Sequence, residues 1–386
     1  MQWMLPEGVE EIRPPAGWRL EDLRRRLLDE FRLWGYELIL PPLIEHADAL
    51  LSGVGEELDL QTFRLTDQLS GRQLGVRADI TPQAARLDAR HLATIGVSRL
   101  CYLGTAIRAR PDTPGGPRCL RQLGAELFGH DGLDSDREII DLMLRALKLC
   151  GISDLHLDLG HVGIFRHLAA DLSLSAEDEQ RVFDLLQIKA RDELAQWCRA
   201  QGLDEPRARS LSRLCELHGD SEVLAAADRE YADRPAVLAA IDQLRQLHAG
   251  LSAAYPELGL HLDLGELRGY RYQTGVVFAA FVPGFGGELA RGGRYNGIGA
   301  SFGVDRPGTG FSADLNCLLQ LGTVPPPATP ALTAPAVDDP ALHDLIRRLR
   351  AAGRPVRICF EPVETDIRRQ DGEWRAPESQ PAVNPK

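Results

Sequence analysis

The sequence predicts an α+β fold: an antiparallel sheet core flanked by helices, with a helical insertion and a short C-terminal segment. Three observations carry that expectation. Arg99 to Thr105 and Leu120 to Phe128 read as strands on either side of a loop rich in proline and glycine. From Ser173 to about Tyr255 the apolar residues recur almost purely at helical spacing. After Leu321 the composition turns to Pro, Ala and Thr through Val337, as an interdomain linker does. The expected organisation is therefore a core over residues 1–322 with the insertion at about 173–255, a linker over 323–340, and a C-terminal segment over 341–386.

The elements follow in order. Leu20, Leu23, Leu27, Phe31 and Trp34 form one helical stripe that ends at Gly35. Tyr36 to Leu40 reads as a strand stopped by Pro41 and Pro42, which cannot donate to a ladder. The two strands at 99–105 and 120–128 are joined by Arg110-Pro-Asp-Thr-Pro-Gly-Gly-Pro117, a run unsuited to helix or sheet, so they are expected to pair antiparallel across a long connection. Asp134 to Cys150 reads as a helix closed by Gly151, and Asp154 to Gly160 as a strand with Leu155, Leu157 and Leu159 alternating. The insertion opens with the capping box Ser175-Ala-Glu-Asp178 and an apolar face of Val182, Leu185 and Leu186. Strand patterns return at Leu258–Leu264, Gly275–Phe281 and Gly287–Arg291, before the glycine run Gly292 to Gly299. Beyond the linker, Asp338–Ala352 reads as a helix and Val356–Phe360 as a strand, and the polar, proline-punctuated tail is expected to fray.

Composition narrows the function classes. With 386 residues, 44% hydrophobic and 26% charged, the chain has the make-up of a soluble globular protein. The N-terminus lacks a basic start followed by an apolar run, and no stretch is long enough to span a bilayer, so a cytoplasmic protein without a membrane partner is expected. The net charge of -12 repels phosphate backbones, and Arg24-Arg25-Arg26 stands beside Asp22, Asp29 and Glu30 as a mixed-charge face, so no nucleic-acid partner is expected. Seven scattered cysteines with no CxxC pair and no histidine at ligand spacing read as buried reduced thiols, and neither a metal nor another cofactor is expected.

Nucleotide and nucleophile signatures fail as well. Gly297-Ile-Gly-Ala-Ser-Phe-Gly303 misses the dinucleotide spacing by one residue, no GxxxxGK[ST] occurs, and there is no GxSxG. The informative pattern lies in the strand from Leu120, where Gln122, Gly124 and Glu126 share one face and Leu123, Ala125 and Leu127 the other. The glycine is expected to leave room for a small ligand against the sheet, with the amide and carboxylate bonding its polar atoms. Asp79 and Thr81 alternate onto one side in the same manner. On composition alone an ordinary solvated strand face is the favoured explanation of these residues.

Five ordered segments carry a resemblance. Tyr102 to Arg108 with Arg121-Gln-Leu-Gly-Ala-Glu-Leu-Phe-Gly129 resembles class II aminoacyl-tRNA synthetase motif 2 in its histidyl form. Arg77-Ala-Asp-Ile-Thr-Pro82 resembles that family's Arg-Pro-Glu-Gly-Thr stretch. Leu267-Arg-Gly-Tyr-Arg-Tyr272 and Gly292-Gly-Arg-Tyr-Asn-Gly297 resemble its two histidine-specific signatures, and Gly35 to Pro42 its motif 1 dimer element. The match runs from about Pro6 to Leu321. The resemblance implies a histidine pocket of Asp79, Thr81, Gln122, Glu126, Arg268, Tyr272 and Tyr295, with Arg108 holding an α-phosphate or carboxylate.

The departures are equally informative. Asp79 is shorter than the family's glutamate, Gln273 replaces a tyrosine near the imidazole, Arg271 replaces an acidic residue, and Ala109 stands where a longer His-Glu element is usual. In Gly310-Phe-Ser-Ala-Asp-Leu-Asn-Cys-Leu318, Asn316 and Cys317 occupy the Glu and Arg places of motif 3, so the cation that clamps the ATP γ-phosphate is missing. The roughly 60 residues after the core fall short of the ~100 that an anticodon-binding domain needs. A synthetase-like core without an ATP clamp resembles the regulatory subunits of ATP phosphoribosyltransferase. That resemblance implies a non-catalytic homodimer, paired with a short-form catalytic subunit, that supports the first step of histidine biosynthesis with histidine as feedback effector. The readings weighed against it are a degenerate amino-acid-activating enzyme and a tRNA-binding module.

Overall fold

The computed structural model describes residues 4–52, 56–92, 96–113, 115–270, 272–323, 330–361 and 363–377. The chain divides into two compact units, Met1–Arg13 with Leu23–Thr323, and Pro14–Asp22 with Val324–Lys386.

The strands of the larger unit are β1 (Glu37–Leu38), β2 (Ile44–His46), β3 (Phe63–Thr66), β4 (Gln73–Val76), β5 (Ser98–Ile107) and β6 (Cys119–Phe128). They continue as β7 (His156–His161), β8 (His218–Gly219), β9 (Gly259–Asp263), β10 (Val276–Phe281), β11 (Ala290–Asn296) and β12 (Pro307–Asp314). Nine form one sheet in the order β1-β5-β6-β12-β11-β10-β7-β9-β8. Its middle is antiparallel, β5 on β6 with Tyr102 opposite Gly124, β6 on β12 with Glu126 opposite Gly310, and β11 between β10 and β12. Parallel pairings occur near its ends, β1 with β5 and β7 with β9. A small antiparallel sheet, β2-β4-β3, stands apart.

The larger core is helix against sheet. In the helix Leu133–Leu149, Ile139, Ile140, Leu142, Met143, Leu144, Ala146 and Leu147 are buried, the wide stripe that a helix lying on a sheet presents. Leu23, Leu27 and Phe31 bury one face of the helix ending at Leu33, and Phe31 meets Phe311 of β12 edge-on, ring centroids 6.1 Å apart. The insertion comprises the helices Ala176–Gln187, Arg191–Ala200, Glu205–Ser212, Glu222–Glu230 and Pro235–Ala254. Ser175 caps the first, its Oγ accepting from the Asp178 amide at 3.1 Å, and Val182, Leu185 and Leu186 are its buried residues.

Three local expectations need correction. The strand expected from Tyr36 to Leu40 pairs only at Glu37 and Leu38, because the chain then turns to use its carbonyls elsewhere: Pro41 O accepts from Arg77 Nη1 at 2.7 Å and Pro42 O from Gln83 Nε2 at 2.8 Å. The strand expected at Gly287–Arg291 is β11, Ala290–Asn296, and runs through the glycines. A glycine has no side chain to report a face, so Gly292 and Gly293 hide the alternation. Four cysteines are buried, whereas Cys119, Cys317 and Cys359 are half-buried; all seven are free.

The smaller unit holds β13 (Leu332–Pro335), the helix Pro340–Ala351 and β14 (Val356–Cys359), with the two strands parallel. A hairpin of β15 (Arg368–Gln370) and β16 (Glu373–Arg375) follows, where fraying was expected. Ala334, Leu342, Ile346, Val356 and Ile367 form its core, and Trp374 packs against them while its indole N–H donates to Asp339 at 2.8 Å. That aromatic anchor is what the tail's polar composition concealed. No described helix is long and apolar enough to cross a membrane.

Candidate functional site

A cavity of about 410 Å³ is lined by β6, β10, β11 and β12, by the turn after β4, by Glu266, Arg268, Gly269, Tyr272 and Gln273, and by Phe183 and Gln187 of the first insertion helix. Asp79, Thr81, Arg108, Glu126, Arg268, Tyr272 and Tyr295 all line it. Gln122 does not: it stands behind Asp79, its Nε2 donating to Asp79 Oδ1 at 2.7 Å while its Oε1 accepts from the Ile80 amide at 2.9 Å. Gln122 therefore orients the acid and fixes the turn, acting on the cavity through Asp79. Arg77, itself buried, ties that turn to the sheet through Thr105 O at 2.7 Å.

Glu126 lies at the centre and is 1% exposed. Tyr102 donates to its Oε1 at 2.9 Å and Tyr295 to its Oε2. The space above Gly124, expected to receive a ligand, is filled by Tyr102: a Cβ at 124 would lie 2.4 Å from the phenol oxygen. That glycine makes room for a protein side chain that holds Glu126. Gly310 serves the same carboxylate, since a Cβ there would sit 1.6 Å from Glu126 Oε2. Thr81 Oγ1 lies 3.0 Å from the Tyr102 hydroxyl, completing a chain from Thr81 through Tyr102 and Glu126 to Tyr295.

Burial pushes the Glu126 carboxyl up to about 8; the Tyr295 and Tyr102 hydrogen bonds pull it down, and the Asp79 charge adds to the rise. Burial also holds both tyrosines well above their ordinary 10.0, so they remain neutral donors. The sign for stability is definite. Between the ordinary 4.5 and the folded value near 8, the native protein keeps a proton that the unfolded chain has released, so stability falls as pH rises across that window. Thermal midpoints of the unliganded protein are expected to drop from about pH 5 to about pH 8.5, and to drop less in Glu126→Gln, whose amide cannot ionise. Equal pH slopes in the two proteins would show that Glu126 is not the titrating group.

The guanidinium groups at the cavity are already engaged. Arg268 donates to Glu288 at 3.0 Å, pairs with Glu266 at 2.9 Å, and lies 3.8 Å from Asp158. Arg108 is paired with Asp112, and its buried Nε has no hydrogen-bond partner among the described residues. Gln273 lines the cavity at 5% exposure, and its Oε1 is likewise buried without a partner. Arg271 lies outside the described residues. Sequence reasoning missed Tyr102, Asp158, Glu266 and Arg291 here; Tyr102 faces Gly124 through the β5–β6 register, which neither strand's own pattern announces.

At the motif 3 position, Asn316 spends its side chain on structure: its Oδ1 accepts from Arg121 Nη1 at 3.0 Å. Burial pushes the Cys317 thiol up to about 11, so it stays neutral. Neither position carries a cation.

The histidyl-tRNA synthetase family model matches residues 8–318. A protein of Thioalkalivibrio sulfidiphilus named ATP phosphoribosyltransferase regulatory subunit is 52% identical over 360 residues, covering 92% of this chain and 90% of its own. One of the same name from Ectopseudomonas mendocina is 47% identical over 386 residues and 97% of each chain. A crystal structure described as an ATP phosphoribosyltransferase regulatory subunit/histidyl-tRNA synthetase, from Bacillus halodurans, superposes with a TM-score of 0.81 at 26% identity over 93% of both chains. The shared fold is that of a class II synthetase, and with about half of its residues identical over nearly its full length, this chain belongs to the histidyl-tRNA synthetase-like family of ATP phosphoribosyltransferase regulatory subunits.

Proposed function

We propose that the chain is the non-catalytic partner of a short-form ATP phosphoribosyltransferase catalytic subunit in a hetero-oligomer, and that it confers feedback by histidine on the first step of histidine biosynthesis. The observation that carries the ligand is the buried Glu126 centred between two tyrosine donors in a cavity that also holds Asp79 and Arg108. The Glu126 carboxyl can accept an imidazole N–H, Asp79 with Thr81 suits an ammonium, and the Arg108 guanidinium suits a carboxylate. Arg268, Tyr272 and Tyr295 complete the pocket, and Gln122 orients Asp79 from behind. The neutral side chains at 316 and 317 leave no motif 3 cation for ATP activation, which favours sensing over amino-acid ligation.

A homodimer is part of the same reading. Leu38, Leu40, Leu43 and Ile44 are 46%, 80%, 39% and 45% exposed, an apolar surface that a second copy would cover. The cytoplasm is the compartment in which such a biosynthetic complex would act.

One experiment tests assembly and function together. The chain is sedimented alone and with the catalytic subunit, and phosphoribosyl transfer to ATP is assayed with and without histidine. A dimer alone, a larger species on mixing, and histidine-sensitive turnover that needs this chain are expected. No co-sedimentation, or inhibition that is the same without the chain, would overturn the reading.

A further inference from the structure

The three guanidinium groups lining the cavity are bridged by two carboxylates of the chain itself. Asp112, in the loop between β5 and β6, pairs with Arg108 and lies 3.9 Å from Arg291 Nη2, while Gln61 Nε2 donates to its other oxygen at 2.7 Å. Glu288, just before β11, accepts from Arg291 Nη1 at 2.7 Å through one oxygen and from Arg268 Nη1 at 3.0 Å through the other. Neither acid is among the lining residues; each pairs with its guanidinium partners without itself lining the cavity.

Arginine forks suit phosphate because they bond it through two parallel N–H groups. Here one N–H arm of each guanidinium is given to Asp112 or Glu288, and its charge is balanced there. A phosphate entering the cavity would have to desolvate itself beside arginines whose charge is already balanced, or break those ion pairs and stay near the freed carboxylate. Repulsion of that kind against one ligand class discriminates as effectively as attraction toward another. A free amino acid asks for less. It has one carboxylate, a single charge that the Arg108 guanidinium lining the cavity can meet, and an ammonium group that the cavity's acids favour. With Glu126 held protonated by burial, the lining carries Asp79, Asp158 and Glu266 against Arg108, Arg268 and Arg291, so the wall is balanced on its own, and Asp112 and Glu288 tip it against a polyanion.

We propose that Asp112 and Glu288 are specificity-determining residues, built-in counter-ions that balance the charge of Arg108, Arg291 and Arg268 and so keep nucleotides out of the cavity while an amino acid is admitted. The part concerning the amino acid rests on the proposed function; the part concerning nucleotides does not. The carboxylates act against the wrong ligand, so removing their charge gains a binding activity, which a merely structural role would not produce.

The test is calorimetric titration of the full chain with AMP, and separately with histidine, for the wild type, Asp112→Asn, Glu288→Gln and the double variant. Both single substitutions keep side-chain volume, and circular dichroism with a thermal midpoint establishes folding before titration. AMP affinity is expected to rise at least about tenfold in Asp112→Asn, equivalent to ~1.4 kcal/mol, and further in the double variant. Histidine affinity is expected to stay within about threefold of the wild type in Asp112→Asn, under ~0.7 kcal/mol of change. AMP affinity unchanged in every folded variant, or a wild type that already binds AMP as tightly as histidine, would overturn the proposal. Absence of histidine binding in the wild type would count against the proposed function alone, because the AMP comparison is still decided by the variants.

Discussion

Replacing Arg294 with methionine is expected to lower the stability of the larger unit by about 3–5 kcal/mol, the cost of breaking a buried ion pair on one side. Arg294 is 6% exposed and every arm of its guanidinium is used. Nε donates to Asp136 Oδ2 at 3.1 Å, Nη1 to His130 O at 3.1 Å and Asp131 at 3.0 Å, and Nη2 to Gly132 O and Ser135 Oγ, both at 2.8 Å. These partners span the turn after β6 and the start of the helix Leu133–Leu149, so one side chain of β11 ties that corner to the sheet. Burial raises the Asp136 carboxyl and the Arg294 charge opposes the rise. Without the arginine, Asp136 must ionise with no cation or take up a proton, and the His130 and Gly132 carbonyls each lose one of their donors. Urea unfolding at neutral pH measures the loss. A change below about 1 kcal/mol would mean that water or a neighbouring chain satisfies these groups. Arg294→Met with Asp136→Leu should recover part of the loss, because the orphaned charge is then gone.

Much of this architecture was legible because burial writes a period into the chain. The alternation of Leu123, Ala125 and Leu127 against Gln122, Gly124 and Glu126 gave β6 and its polar face, and the stripe of Val182, Leu185 and Leu186 gave the first insertion helix. What stayed hidden depends on side-chain partnerships between distant segments. Gly124 read as ligand space because nothing in β6 says that Tyr102 stands opposite it; only the register supplies that. Gln122 read as a ligand contact because its neighbour across the turn, Asp79, is 43 residues away. Arg108 and Arg268 read as ligand contacts although carboxylates stand near them in the chain, Asp112 four residues on and Glu266 two residues back, because no local pattern marks those as ion pairs. Asp112 sits in a loop whose prolines and glycines announce only a turn, and Glu288 beside a glycine run, so neither acid carries a periodic signal. The hairpin near the C-terminus was missed because one tryptophan in a polar tail has no pattern around it.

Glu126→Ala in the regulatory chain is expected to shift histidine inhibition of the reconstituted phosphoribosyltransferase to concentrations roughly ten- to a hundredfold higher, the span given by ~1 to 3 kcal/mol for one buried hydrogen-bond partner. The pocket offers little to replace what is removed. Glu126 accepts from Tyr102 and Tyr295 inside the sheet, so without it two buried hydroxyls lose their acceptor and the cavity keeps no carboxyl at its centre. Asp79 is not a substitute, because Gln122 and the Thr81 amide hold its Oδ1 at 2.7 and 2.9 Å on the other side of the ligand space. Tyr295→Phe is the graded companion: it removes one donor to Glu126 and keeps the ring that packs edge-on against Phe128, so it should shift the curve in the same direction by less. For feedback to operate at all, histidine must bind the inhibited and active complexes unequally, with a coupling of ~1 to 3 kcal/mol. A weaker pocket moves the midpoint along the concentration axis without requiring that coupling to change. The measurement is a histidine titration of turnover at equal complex concentration for the three proteins, each normalised to its own uninhibited rate. A rightward order of wild type, Tyr295→Phe, Glu126→Ala supports sensing in this cavity; three superimposable curves would place the sensor elsewhere in the complex.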